Sequence, residues 1–190
     1  MKLEKEITVL VNTSYEELNT ILTQKGFEIV ESFFMKDIYM IDKNVNMSDM
    51  NNLDILKKCI LIRETEGGQK KLIYKHKKYD KDERIIEQAK IECPISDVNK
   101  AIDFMKAINY KTLFTINDKC TVYCNKKTEF IVQEVNDKYV FIEMEDKAES
   151  IDKEYKTIDD MIGELKEYNL PIQPNNFFVK KAELILKETL

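Results

Sequence analysis

Apolar and polar positions alternate with a period of two along much of this chain. That is the pattern of strands with one buried face. In Tyr139–Glu145, Val140, Ile142 and Met144 share one face, and Glu143 and Glu145 share the other. Near the start, Ile7, Val9 and Val11 face one way with Glu6 opposite. Arg63 and Lys75 sit on apolar strands in the middle of the chain. A charge on the second face of an apolar strand needs water, a counter-charge or a metal in front of it. Its recurrence predicts a sheet curled around a polar interior.

The same reading divides the chain into elements. A strand is predicted over 4–11. Ser14 then caps a helix, with Glu17 three positions on to complete a capping box, and Gly26 ends it. Segments 27–34 and 36–42 read as a hairpin, and 44–57 as a polar connection with a short helical turn. Strands over 59–64 and 71–76 meet at Glu66-Gly67-Gly68. A charged turn at 79–82 leads to a strand over 84–92 that Pro94 closes. An amphipathic helix over 96–108 precedes strands over 112–117, 119–124, 129–135 and 139–145. Helices over 159–168 and 179–189 complete the chain. Short turns make the strands antiparallel. Helix plus meander occurs twice, with similar tails (Lys25-Gly26-Phe27 and Ile108-Asn109-Tyr110). This suggests an internal duplication whose halves close into one barrel.

Composition narrows the function. The 190 residues fit a single domain over 1–190. Four glycines and three prolines exclude a glycine-rich nucleotide loop and a flexible linker. A net charge of −5 argues against a nucleic-acid partner held by long-range attraction. No stretch approaches the roughly 20 apolar residues of a membrane span, and the start carries no signal-peptide pattern. Cys59, Cys93, Cys120 and Cys124 form no CxxC pair, and one histidine makes a zinc site improbable. The thiols are expected to be buried or half-buried in a reducing cytoplasm. The lysine clusters at 70–71 and 75–78 read as solvated faces of a hairpin. Asp37 and Asp42 read as hairpin-shaping residues, and His76 as a surface residue. The amphipathic C-terminal helix (Val179, Ala182, Ile185, Leu186) has a face for its own barrel or for a second subunit.

Ordered motifs along nearly the whole chain resemble the CYTH superfamily, the triphosphate tunnel metalloenzymes. The opening strand of the form E-I-E-V-K-V is matched by Glu6-Ile7-Thr8-Val9-Leu10-Val11, and D-x-Y-F-D by Asp37-Ile38-Tyr39-Met40-Ile41-Asp42. L-R-I-R-E is matched by Ile60-Leu61-Ile62-Arg63-Glu64, and L-T-Y-K by Leu72-Ile73-Tyr74-Lys75. F-x-E-I-E is matched by Phe141-Ile142-Glu143-Met144-Glu145, and the S-Y-V end by Phe178-Val179-Lys180. The resemblance implies an α+β fold: an eight-stranded antiparallel β-barrel, or tunnel, with flanking helices. It also implies basic residues that grip a polyphosphate and acids that hold Mg²⁺ or Mn²⁺.

Carried over position by position, the bases are Arg63 and Lys75, with Lys90 as an extra base. The acids are Glu6, Glu143 and Glu145, with Glu92. The motif departs at Thr8, Leu10 and Leu61, and at Asp118 and Cys120 in place of a K-x-R pair, with Lys119 one residue off and pointing outward. Gln133 replaces an acid. Two functions follow from the resemblance. One is a metal-dependent triphosphate hydrolase or adenylyl cyclase-like enzyme. The other is an inactive binding protein for a nucleotide or phosphorylated metabolite on the same scaffold. The expected partner is a small phosphorylated molecule, with a homodimer as a further expectation.

Overall fold

The computed structural model describes residues 5–79 and 85–190, with the backbone alone for 76–79 and 85–89. The charged turn expected at 79–82 runs into residues outside that set, as does the start of the strand expected at 84. The His76, Lys77 and Lys78 side chains also lie outside it.

Thirteen elements follow one another: β1 (Glu6–Leu10), α1 (Tyr15–Gln24), β2 (Glu28–Asp42), α2 (Asn52–Lys57), β3 (Ile60–Thr65), β4 (Lys70–Tyr79), β5 (Ile85–Ile95), α3 (Val98–Ala107), β6 (Tyr110–Cys124), β7 (Glu129–Val135), β8 (Tyr139–Glu145), α4 (Ile158–Glu167) and α5 (Lys181–Thr189). The class is α+β. The strands form one eight-stranded antiparallel sheet in the order β1-β8-β7-β6-β2-β3-β4-β5. Among the described residues this order has two ends, β1 and β5, so the barrel expected from the resemblance is not confirmed.

The alternation pattern taken segment by segment gives ten strands and the resemblance implies eight; eight are present among the described residues, because two breaks read from the pattern do not occur. Segments 27–34 and 36–42 form one 15-residue strand, β2. Segments 112–117 and 119–124 form one 15-residue strand, β6. Phe34-Met35-Lys36 and Asn117-Asp118-Lys119 contain no glycine or proline to reverse the chain, so the backbone continues extended. Pro94 lies within β5, opposite Lys71, and does not end it. β5 is a sheet edge, where a missing N–H costs no ladder bond.

Helix α1 keeps half of its expected capping box. Ser14 accepts from the Glu17 amide, but the Glu17 carboxylate accepts the Thr13 hydroxyl. The full box belongs to α4, between Thr157 and Asp160. Gly26 and Asn109 follow α1 and α3 in the left-handed conformation, at φ 80° and 73°. Each turns the chain into one of the two long strands, as expected of a duplication. The strand order is the same read backwards if β1 is exchanged with β5, β2 with β6, β3 with β7 and β4 with β8.

Among the described residues the chain forms two compact units. The first holds Phe34–Asn117 and Lys180–Leu190, the second residues 5–33 and Asp118–Val179. β2 and β6 each contribute one part to either unit.

In the second unit, Ile7, Val9, Phe130, Val132, Val140, Ile142 and Met144 bury one sheet face against Leu18 and Leu22 of α1 and Met161 and Leu165 of α4. Burial of each such side chain stabilises by about 1.5–3 kcal/mol. In the first unit, Ile38, Met40 and Ile62 pack on Val98 and Met105 of α3. There α5, with Ile185 and Leu186 buried, packs on α2. The thiols differ from expectation at one place: Cys93 is exposed on β5. No described helix is long and apolar enough to cross a membrane.

Candidate functional site

Cross-strand partners share a sheet face, so the ladders show which side chains stand together. In the first unit, α3 covers the face of Ile38 and Ile62. The opposite face carries Asp37 and Tyr39 on β2, Leu61 and Arg63 on β3, Lys71, Ile73 and Lys75 on β4, and Lys90 and Glu92 on β5. Asp37 is registered with Arg63, Arg63 with Lys71, Ile73 with Glu92, and Lys75 with Lys90. The expected bases Arg63, Lys75 and Lys90 therefore lie on one face, and Lys71 joins them.

The best-defined pair on this face is Asp37–Arg63. Arg63 Nε donates to Asp37 Oδ1 at 2.7 Å, and Nη2 donates to Oδ2 at 2.6 Å. Asp37 is only 5% exposed. Burial alone pushes its pKa up. The hydrogen bonds and charge of Arg63, with the charges of Lys75 and Lys181, more than offset this and hold the carboxyl below its ordinary value. The hairpin-shaping role expected for Asp37 is thus corrected, because it lies inside a continuous strand and its side chain clamps an arginine. Its neighbour Tyr39 stacks on Phe114, with ring centroids 4.5 Å apart. Burial, and then the Asp37 charge, raise the Tyr39 phenol pKa. Burial pushes the Cys59 thiol up to about 12, which leaves it inert at neutral pH.

Lys71 Nζ donates to Glu92 Oε2 at 2.6 Å, and that bond keeps the Glu92 pKa below the usual range. Glu92, expected with the acids, is thus in the basic unit and engaged by a lysine. Lys70 pairs outward with Glu64 at 3.1 Å, as a solvated hairpin face does.

In the second unit the expected split of β8 is observed. Val140, Ile142 and Met144 are buried in the core, Glu143 is half-buried and Glu145 is exposed on the other face. Glu6 is registered with Glu145, and Thr8 with Glu143. Glu6, Glu143 and Glu145 therefore share a face. Apart from Leu61, the positions lost from the motif line that face too: Thr8, Cys120, Gln133 and Asp118 are buried and Leu10 is half-buried. Lys119 points the other way, as expected, and pairs with Glu134 at 3.1 Å and with Asp137. Among the described residues, no three His, Cys, Asp or Glu side chains are grouped to hold a metal.

The duplication aligns these two faces. Gly26 corresponds to Asn109, so Asp37 corresponds to Cys120. The ladders then carry Arg63 onto Gln133, Lys71 onto Phe141, Lys75 onto Glu145, and Lys90 onto Glu6. The Lys75–Lys90 pair of the first unit thus occupies the position of the Glu145–Glu6 pair of the second.

Sequence reasoning missed Asp37, Lys71 and Lys181. For Asp37 the signal was a carboxylate inside a run of strand-forming apolar residues. For Lys71 it was the shared parity with Lys75. Lys181 gave none, because its approach to Asp37 depends on how α5 packs.

Comparison with known proteins places this fold. No family model matches the chain. A Methanocaldococcus jannaschii protein named "Putative adenylate cyclase" is 25% identical over 169 residues, spanning 86% of this chain and 90% of its own length. A Pyrococcus horikoshii structure, the PH1819 protein, superposes with a TM-score of 0.65 at 20% identity, over 97% of this chain and 99% of its own. A "putative adenylyl cyclase" from Hippeastrum, described with a dominant triphosphatase activity, superposes at 0.60 with 13% identity, over 98% and 97%. The chain shares its fold with these two structures.

Proposed function

We propose that this chain binds a small phosphorylated anion on the basic face of β3, β4 and β5. The observation that carries this reading is the convergence of Arg63, Lys71, Lys75 and Lys90 on one sheet face of a chain whose net charge is −5. Arg63 offers a planar fork, and the lysines act as point charges. The relatives named for adenylyl cyclase and triphosphatase support a phosphate-bearing ligand.

The test is thermal shift and calorimetry against phosphate, pyrophosphate, tripolyphosphate, ATP and thiamine triphosphate without metal. A ligand at 100 times its Kd stabilises by about 2.7 kcal/mol. A flat response across the panel would falsify the reading.

A second reading is metal-dependent triphosphate hydrolysis, and the acidic face of the second unit favours it. The described residues do not build a protein-only metal cage. Mg²⁺, however, takes one or two carboxylates and fills its other positions with water and phosphate oxygens. Glu143 and Glu145 on one face of β8, with Glu6 opposite Glu145, fit that sparse role. Bound there, Mg²⁺ or Mn²⁺ supplies neutralisation of phosphate charge. Orthophosphate release from the triphosphates is the assay. Turnover no greater than that of an E143A/E145A double variant removes this reading for those substrates.

A further inference from the structure

We infer that Asp37 is the positioning residue of Arg63, holding its guanidinium in the one orientation in which the basic face can grip phosphate. The inference rests on the phosphate-binding reading above.

Four observations carry it. The two residues are register partners on adjacent strands, so their backbones are fixed relative to each other. Both carboxylate oxygens are used, one on Nε and one on Nη2, which fixes both the tilt and the rotation of the guanidinium plane. The carboxylate is buried while the Arg63 side chain is 23% exposed, so the clamp lies beneath the group it holds. Asp37 is also surrounded by positive charge from Arg63, Lys75 and Lys181, which keeps it ionised.

The chemistry explains why a guanidinium in particular needs such support. An ammonium is a point charge with rotating donors and grips phosphate from many directions. A guanidinium is a flat fork that must present an edge. Orienting partners of ligating side chains are typically worth about 10–100-fold in affinity or activity. At the corresponding position of the other half the pair is Cys120 and Gln133, so the clamp belongs to the basic half alone.

The charge balance makes the inference sharply testable. Asp37→Asn removes a negative charge from an anion-binding face. Electrostatics without positioning predicts tighter binding, whereas positioning predicts weaker binding. The probe is pyrophosphate, measured by calorimetry on the full chain without metal. Asp37→Asn and Arg63→Lys are each expected to weaken binding by tenfold or more, with folding checked by circular dichroism. A merely structural ion pair would lower the melting temperature and leave affinity in place.

A second measurement uses the wild-type protein alone. The chain has two arginines, Arg63 and Arg84, so Arg63→Lys assigns the Nε–H resonances. The Arg63 Nε–H is expected to be sharp and protected from solvent exchange. Unchanged or tighter pyrophosphate binding by Asp37→Asn overturns the positioning role alone. An Arg63 Nε–H that exchanges freely in the wild type also overturns it. Failure of the wild type to bind pyrophosphate removes the phosphate reading and the positioning role together.

Discussion

Strands β4 and β5 of the first unit and β8 and β1 of the second share a ladder pattern but have opposite chemistry. At one corresponding position the first pair presents Lys75 opposite Lys90, the second Glu145 opposite Glu6. Two strands further in, Asp37 clamps Arg63 in one half, while Cys120 faces Gln133 in the other. A duplicated backbone thus carries two polar faces. The basic one has a buried Asp37–Arg63 ion pair at its base, and the acidic one has Cys120 and Gln133 at the corresponding positions. Backbone hydrogen bonding conserves the scaffold whatever side chains it bears, so the halves are free to diverge in charge.

The largest expected effect separates those supports. Arg63→Ala strands a buried carboxylate and costs about 3–5 kcal/mol. Cys120→Ala, at the position corresponding to Asp37, costs about 1 kcal/mol. Urea denaturation at pH 7 measures both, and equal costs would erase the distinction between the halves.

Ligand binding divides the faces next. Without metal, Lys75→Ala and Lys90→Ala each weaken pyrophosphate binding by roughly tenfold, as loss of a charge-assisted hydrogen bond implies. Glu143→Ala and Glu145→Ala leave metal-free binding intact and remove any increment that Mg²⁺ or Mn²⁺ adds. Calorimetry with and without metal reads the difference. Metal-free binding that depends on the glutamates instead would contradict the assignment.

A pH series sharpens the contrast. The folded Asp37 carboxyl titrates below its ordinary 3.8, so its contribution is present above that value and is lost as pH falls through the lower folded pKa. The stability gap between wild type and Asp37→Asn is about 1.5–3 kcal/mol at neutral pH and closes under acid. The gap for Cys120→Ala stays level over the same range.

The smallest test addresses the duplication. Gly26→Ala, at φ 80°, costs about 1 kcal/mol. Asn109→Ala, at φ 73°, costs about half of that, because asparagine already tolerates the left-handed region better than most residues. Thermal unfolding of the two variants ranks them.

The faces of β1 and β8, the outward turn of Lys119, the cap at Ser14 and the left-handed exits at Gly26 and Asn109 were legible in the sequence. Each depends on local geometry: a period of two, or one residue's conformational freedom. The fusion of expected hairpins into β2 and β6 was not legible, because alternation continues across a strand and across a turn alike. Pro94 needed the sheet order to be recognised as an edge residue, and Cys93 needed it to be seen as exposed. Asp37 was visible as a charge among apolar neighbours, but its partner is 26 positions away. Alternation determined which side chains share a strand face. Only strand pairing decided which strands lie side by side, and so which charge meets which, because long-range register depends on the whole sheet rather than on any local segment.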